Sequence, residues 1–277
     1  MKTYSTGAER SNLDLRDFKY DKSVATTAPQ KGGERYKPED IQDQHRVGIC
    51  TAISLTQNAE KALGIKYSAD FQYLLQKKYI DKNWEEGSSA RSALTVAKNY
   101  GMLPEEHWAF STDRNLPYYR YIKKLQNVPE SEIVRLLKIA SEHKLEGYAS
   151  VPIDRDAMCN AIDESQAGII ARFDLDNQWY REPIEPLRRP IKPISGHLVT
   201  ISNYDGFSQR VANTWGSDWA DGGTAYFNLL FYQPTEAWIP YYKSSQVIDD
   251  QKKKLESLQG QLITLLQQLV ALLKLKK

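Results

Sequence analysis

Cys50 opens the segment CTAISLTQNAEKALGI, whose apolar positions Ile53, Ala59 and Leu63, with Ile49 before it, favour one face of a helix ended by Gly64. A thiol at the start of a helix has its anion stabilised by the unpaired N–H groups there, which makes it a candidate nucleophile. Such a thiol needs a base that is remote in sequence and close in space. His197 follows Gly196 at the opening of the apolar run HLVTISNY. Asn213 begins NTWGSDWADGGTAYF, on the next strand of a predicted hairpin. Neighbouring antiparallel strands bring such residues side by side, so that an amide oxygen can accept from one ring nitrogen and leave the other facing the thiol. Each residue also has a plainer use. A helix cysteine often fills a core, and a histidine at a strand start often serves structure alone. Cys159, in DAMCNAI, fits the apolar face of a helix and reads as structural.

The elements that would position these groups follow an order. Helices are expected at Ser68–Tyr79, Ser89–Tyr100, Glu130–His143 and Arg155–Glu164, and then strands at Ala167–Phe173, His197–Tyr204, Arg210–Thr214 and Thr224–Leu230. A turn beginning at Asp205-Gly206 joins the second strand to the third. Helices first and strands later predict an α+β protein with two segregated lobes over residues 1–243. Residues 1–38 read as loop, and 22–38 as a mobile surface insertion near the cleft entrance that restrains access or is cut by the protein itself. After residue 243 the character changes. Leu255, Leu258, Leu262, Leu265, Leu269 and Leu272 mark the a and d positions of heptads, and Leu266 and Leu273 widen the stripe. Residues 244–277 are expected to form an amphipathic, coiled-coil-like helix that makes a homo-oligomer. Its terminal lysines make peripheral contact with anionic lipid the less favoured use.

Composition narrows the classes. The 277 residues are 41% hydrophobic and 26% charged, a globular profile. A net charge of +2 gives no reason to expect nucleic acid as a partner. Two cysteines exclude a disulfide framework, and four scattered histidines without HExxH give no metal site and no cofactor. No apolar leader and no long apolar run is visible, so the default expectation is a cytoplasmic protein.

Several blocks together resemble the papain-like cysteine peptidases, with a bacterial flavour. Gln44–Cys50 reads QHRVGIC, with a Gln six residues before the Cys, and Asn213–Trp219 reads NTWGSDW, close to that family's Asn-Ser-Trp-Gly-x-x-Trp. His197 lies sixteen residues before Asn213. Residues 86–106, EGSSARSALTVAKNYGMLPEE, look like the family's cleft strand, helix and Tyr-Gly turn, and 13–17, LDLRD, like the start of a mature enzyme. The resemblance spans roughly 13–243. It implies a helical lobe carrying the nucleophile, a β-barrel-like lobe carrying His and Asn, and hydrolysis of peptide or protein substrates without a cofactor. In this likeness Cys50 and His197 form a thiolate–imidazolium pair, Asn213 orients the imidazole under Trp215, and Gln44 helps to form the oxyanion hole. Gly87 and Ser88 would pair with the substrate backbone. Ala90, Ser195 and Leu198 match the main specificity pocket. The chain departs at Val47 and Thr51, where the family has a disulfide cysteine and an aromatic, at Ser88 in place of a second glycine, and in lacking a long inhibitory pro-region. The alternatives are an inactive papain-fold scaffold assembled by 244–277, and another Cys-His enzyme such as a transglutaminase or a cell-wall amidopeptidase.

Overall fold

Ser54, Gln57 and Asn58 interrupt the apolar pattern that follows Cys50, and their partners reveal what the helix packs against. The computed structural model describes residues 4–15, 17–20, 27–110, 112–165, 167–180 and 186–243. In it α1 (Cys50–Leu63) is buried from Cys50 through Ala59 and ends at Gly64, whose φ of 68° is the left-handed cap expected of glycine. Ser54 Oγ donates to the Leu198 carbonyl (2.7 Å), Asn58 Nδ2 to that of Ala167 (3.0 Å) and Gln57 Nε2 to that of Asn213 (3.3 Å). The polar side of α1 is thus buried against sheet backbone, with its hydrogen bonds made. The helix is the wall between two lobes.

The elements run β1 (Ala8–Glu9), β2 (Lys31–Gly33), α1, α2 (Ala69–Leu75), β3 (Ser88–Ser89), α3 (Ala90–Asn99), α4 (Tyr118–Gln126), α5 (Glu130–Ala140), β4 (Gly147–Ser150), α6 (Arg155–Glu164), β5 (Ile169–Leu175), α7 (Asn177–Tyr180), β6 (Ser195–Asp205), β7 (Ser208–Ala212), β8 (Thr224–Asn228) and β9 (Glu236–Tyr241). Three helices start where the sequence places a cap. The side chains of Ser68, Ser89 and Asp154 accept from the N–H groups of Phe71, Ser92 and Ala157, at about 1 kcal/mol each. The helical lobe closes over Ile53, Phe71, Leu74, Tyr121, Leu125 and Leu136. The other lobe is one antiparallel sheet in the order β4-β9-β5-β6-β7-β8, with β2 added to β6, around Phe173, Val199, Ile201, Trp215, Trp219 and Phe227. The architecture is the two-lobed α+β arrangement expected.

Several short elements, β1, β2 and α7 among them, escape the pattern reading, as do α4, β4 and β9. In α4 only Tyr121, Ile122 and Leu125 are buried, so its apolar stripe is short. The strand β4 is brief, and β9 carries Pro240, a residue that argues against a strand. Residues 27–38 are largely exposed, yet they do not form the bare loop their composition suggests. There β2 pairs with Asn203–Asp205, Tyr36 is buried with its hydroxyl on the Ala167 carbonyl (3.1 Å), and Arg155 holds the Pro29 carbonyl (2.6 Å). Residues 21–26 and the helix expected over 244–277 lie outside the described residues.

Candidate active site

Cys50 is the first residue of α1 and is fully buried. The backbone N–H groups of Leu198 on β6, of Gly7 and of Thr51 face its sulfur and favour the thiolate. Burial pushes the thiol up to about 11, against the pull of these hydrogen bonds and of the Arg172 charge. His197 lies next to Leu198, at the opening of β6, and is also fully buried. Its Nε2 is 2.7 Å from Asn213 Oδ1, an oxygen that also accepts from the Thr214 N–H (2.8 Å). An oxygen engaged in this way fixes the proton on Nε2, so Nδ1 carries the free lone pair. Nδ1 is buried and has no hydrogen-bond partner among the described residues. Burial pulls the imidazole down to about 4, with the Asn213 bond acting the other way. The Trp215 ring lies flat on the imidazole, with centroids 4.5 Å apart.

Gln44 is buried in the loop before α1 and is held there by its neighbours. Its N–H donates to the Thr214 carbonyl (2.8 Å), its Oε1 accepts from Thr214 Oγ1 (2.5 Å), and its Nε2 donates to the Val47 carbonyl (2.9 Å). Thr214 therefore orients both amides of the site, Asn213 and Gln44. The sequence reading missed it, although its place beside Asn213 was the available signal. Cys159 is not part of this cluster. It sits in the β-lobe core with Gln209 Nε2 at 3.7 Å from its sulfur. His45 has a positive φ of 52° and pairs with Asp43 at 3.3 Å.

The cleft itself is occupied by the chain's own residues 4–10, here called the strap. Gln44 Nε2 (2.8 Å) and Trp215 Nε1 (2.9 Å) both donate to the Ser5 carbonyl. Tyr4 stacks on the outer face of Trp215, with centroids 4.8 Å apart. Thr6 Oγ1 bonds Ser195 Oγ. The Ser88 N–H donates to the Gly7 carbonyl (2.8 Å), and β1 continues as a parallel partner of β3. Ala8 is buried in the same cluster as Cys50, Ala90 and Leu198. A side chain on Gly7 or Gly48 would collide with the other's stretch of backbone, and a Cβ on Gly87 would come within 2.7 Å of the Gly7 carbonyl. Only chains stripped to backbone can approach this closely. Gly87, at φ 101°, is gripped from behind by Tyr73 Oη, which accepts from its N–H (3.1 Å), and by Lys77 Nζ on its carbonyl (2.8 Å). The strap lies within the stretch that reads as loop. Its run of small residues, Ser5-Thr6-Gly7-Ala8, is the one sequence hint that it threads a narrow channel. The LDLRD block that follows leaves Leu13 and Leu15 exposed and pairs Asp14 and Asp17 with Arg91 on α3.

At the level of sequence, no family model and no curated protein matches the chain. Solved structures do. Xylellain, a cysteine protease from Xylella fastidiosa, superposes with a TM-score of 0.72 at 21% identity, over 88% of this chain and 98% of that one. Digestive procathepsin L 3 of Tenebrio molitor gives 0.57 at 17% identity, over 81% and 73%. A cysteine protease of Carica candamarcensis in complex with E-64 gives 0.53 at 14% identity, over 78% and 100%. Identities this low speak for architecture alone, and the architecture is unambiguous: the chain has the two-lobed fold of the papain-like cysteine peptidases.

Proposed function

We propose that the protein is a cysteine peptidase that hydrolyses peptide bonds through an acyl-enzyme on Cys50. The observation that carries this reading is the placing of Cys50, Gln44 and Trp215, whose ring is stacked on His197, around one stretch of extended backbone, Ser5–Ala8. A channel that grips peptide backbone, with a thiol and a histidine carrying a free ring nitrogen in its walls, suits acyl transfer. In the proposed reaction the thiol passes its proton to His197 Nδ1 and the sulfur bonds the substrate carbonyl carbon. Gln44 Nε2–H and the Cys50 N–H take the developing oxyanion, each worth on the order of 3 kcal/mol. The C–N bond breaks and the amine leaves with the proton from His197. Water then attacks the thioester, with His197 as base, and releases the acid. Asn213 and Trp215 hold the imidazole. Gly87 and Ser88 bind the substrate backbone, and Ala90, Ser195 and Leu198 line its pocket. With the strap in place both reacting groups are held neutral at neutral pH. Peptide-library hydrolysis by the full chain and by Cys50→Ala tests the assignment, and turnover that survives Cys50→Ala would sink it.

The occupied cleft also favours a second reading, a papain-fold binding protein that no longer reacts. Alkylation by iodoacetamide separates the two. A peptidase loses Cys50 labelling when His197 is replaced, whereas in a dead scaffold the label is indifferent to His197.

Burial of His197 sets an expected pH dependence of stability. Above about pH 6.5 the ring is neutral whether folded or not. As the pH falls towards 4 the unfolded chain takes up a proton that the buried ring refuses, so stability drops by about 3 kcal/mol across that window. Urea titrations at pH 7 and pH 4 should show this extra loss in the native chain and not in His197→Gln. Equal losses in both would contradict it.

We further assign residues 1–243 to the peptidase domain and 244–277 to a self-associating helix, on the heptad spacing of its leucines. Light scattering should report an oligomer for the full chain and a monomer for a chain ending at Lys243. Two monomers would refute the assignment.

A further inference from the structure

Arg172 is an unusual residue to find beneath a peptide channel. It lies in the middle of β5, opposite Leu198 of β6, and is only 6% exposed. A buried guanidinium must have partners, and the fixed ones serve a single nitrogen. Nη1 donates to Asp174 Oδ1 (2.7 Å) and to Thr235 Oγ1 (2.8 Å). Nε, in contrast, donates to the Ala8 carbonyl of the strap at 2.9 Å. Gly196, the residue before His197, makes this possible, because a Cβ there would collide with both the guanidinium and the Ala8 carbonyl. The bare Gly196 lets a planar cation and a peptide carbonyl meet one residue away from the proposed base.

We propose that Arg172 is a substrate-binding residue of the cleft, a fixed N–H donor for the main-chain carbonyl of a peptide residue seated where Ala8 sits. The Arg172 Nε points at a segment that must leave before a substrate enters, and Asp174 and Thr235 hold the fork rigid for the next occupant. On the peptidase reading, the peptides accepted carry a small side chain at that position, since Ala8 is buried in one cluster with Ala90 and Leu198. Arg172 acts on binding, and not on the reacting atoms.

Arg172→Lys keeps the charge and removes the Nε–H, and two readouts test it. In the full chain, iodoacetamide labelling of Cys50 should speed up at least ten-fold as the strap loses its anchor, with Cys159 labelling unchanged as a monitor of the fold. In a chain whose strap is loosened by Gly7→Leu, KM for a peptide, corrected for the closed fraction read from Cys50 labelling in the same variant, should rise about ten-fold with kcat within two-fold. A parallel rise of Cys50 and Cys159 labelling, or no change in either readout, would overturn the proposal. If no variant turns over peptide, the peptidase reading fails and the labelling arm still decides for Arg172. Should Arg172→Lys not fold, a synthetic peptide of residues 4–10 serves on the Gly7→Leu chain. It should protect Cys50 from iodoacetamide at least ten-fold better than the same peptide with the Ala8 carbonyl reduced to methylene, and equal protection overturns the assignment.

Discussion

Replacing Gly7 by leucine is expected to raise both the alkylation rate of Cys50 and the rate of peptide hydrolysis about ten- to hundred-fold. Gly7 lies against the Gly48 carbonyl so closely that no Cβ fits, and its own carbonyl accepts from Ser88. Forcing a side chain into a well-packed contact typically costs about 1–3 kcal/mol. That cost falls on the closed state alone, since a released strap has room for leucine. A shift of this size in a two-state equilibrium changes the open fraction by about ten- to hundred-fold, and with it every rate that needs an empty cleft. The remaining contacts of the strap, from Tyr4 on Trp215 to Arg172 on Ala8, stay available for reclosure, so the effect should be large but finite. Unchanged rates in Gly7→Leu, with Cys159 labelling also unchanged, would mean that the strap does not limit access.

Cys50→Ala and His197→Ala are each expected to lower kcat/KM in the Gly7→Leu chain by at least about a thousand-fold, with the double variant scarcely worse than either single one. On the proposed mechanism nucleophile and base act as one unit, because a thiol whose proton has no acceptor stays a thiol and a base without a thiol has nothing to activate. Asn213→Ala should be milder, since Asn213 sets the tautomer through the 2.7 Å bond to Nε2 and does not itself react. Independent, multiplicative losses from Cys50 and His197 would dismantle the proposed mechanism.

Much of the scaffold is legible one segment at a time. Gly64 as a left-handed cap, Ser68, Ser89 and Asp154 as helix starts, and the Asp205-Gly206 turn are local devices, decided by the backbone preferences of a few adjacent residues. His197 and Asn213 could be paired from sequence for the same reason, since a single hairpin carries both. What lay beyond reach depends on contacts between distant stretches of chain. The strap binds through its backbone, and backbone carries no side-chain signature. Ser5, Gly7 and Ala8 look like loop because the channel demands that they be small. Thr214 and Arg172 are ordinary residues until Gln44 and Ala8 arrive from far upstream. The opposition between burial and charge at Cys50 and His197 likewise appears only when the folded chain buries them. By itself the sequence determined which elements form and which chemistry their ends can present. Only the tertiary structure decided that the cleft is filled by the chain's own residues 4–10, because close packing of backbone on backbone is a property of the assembled walls and of no single segment.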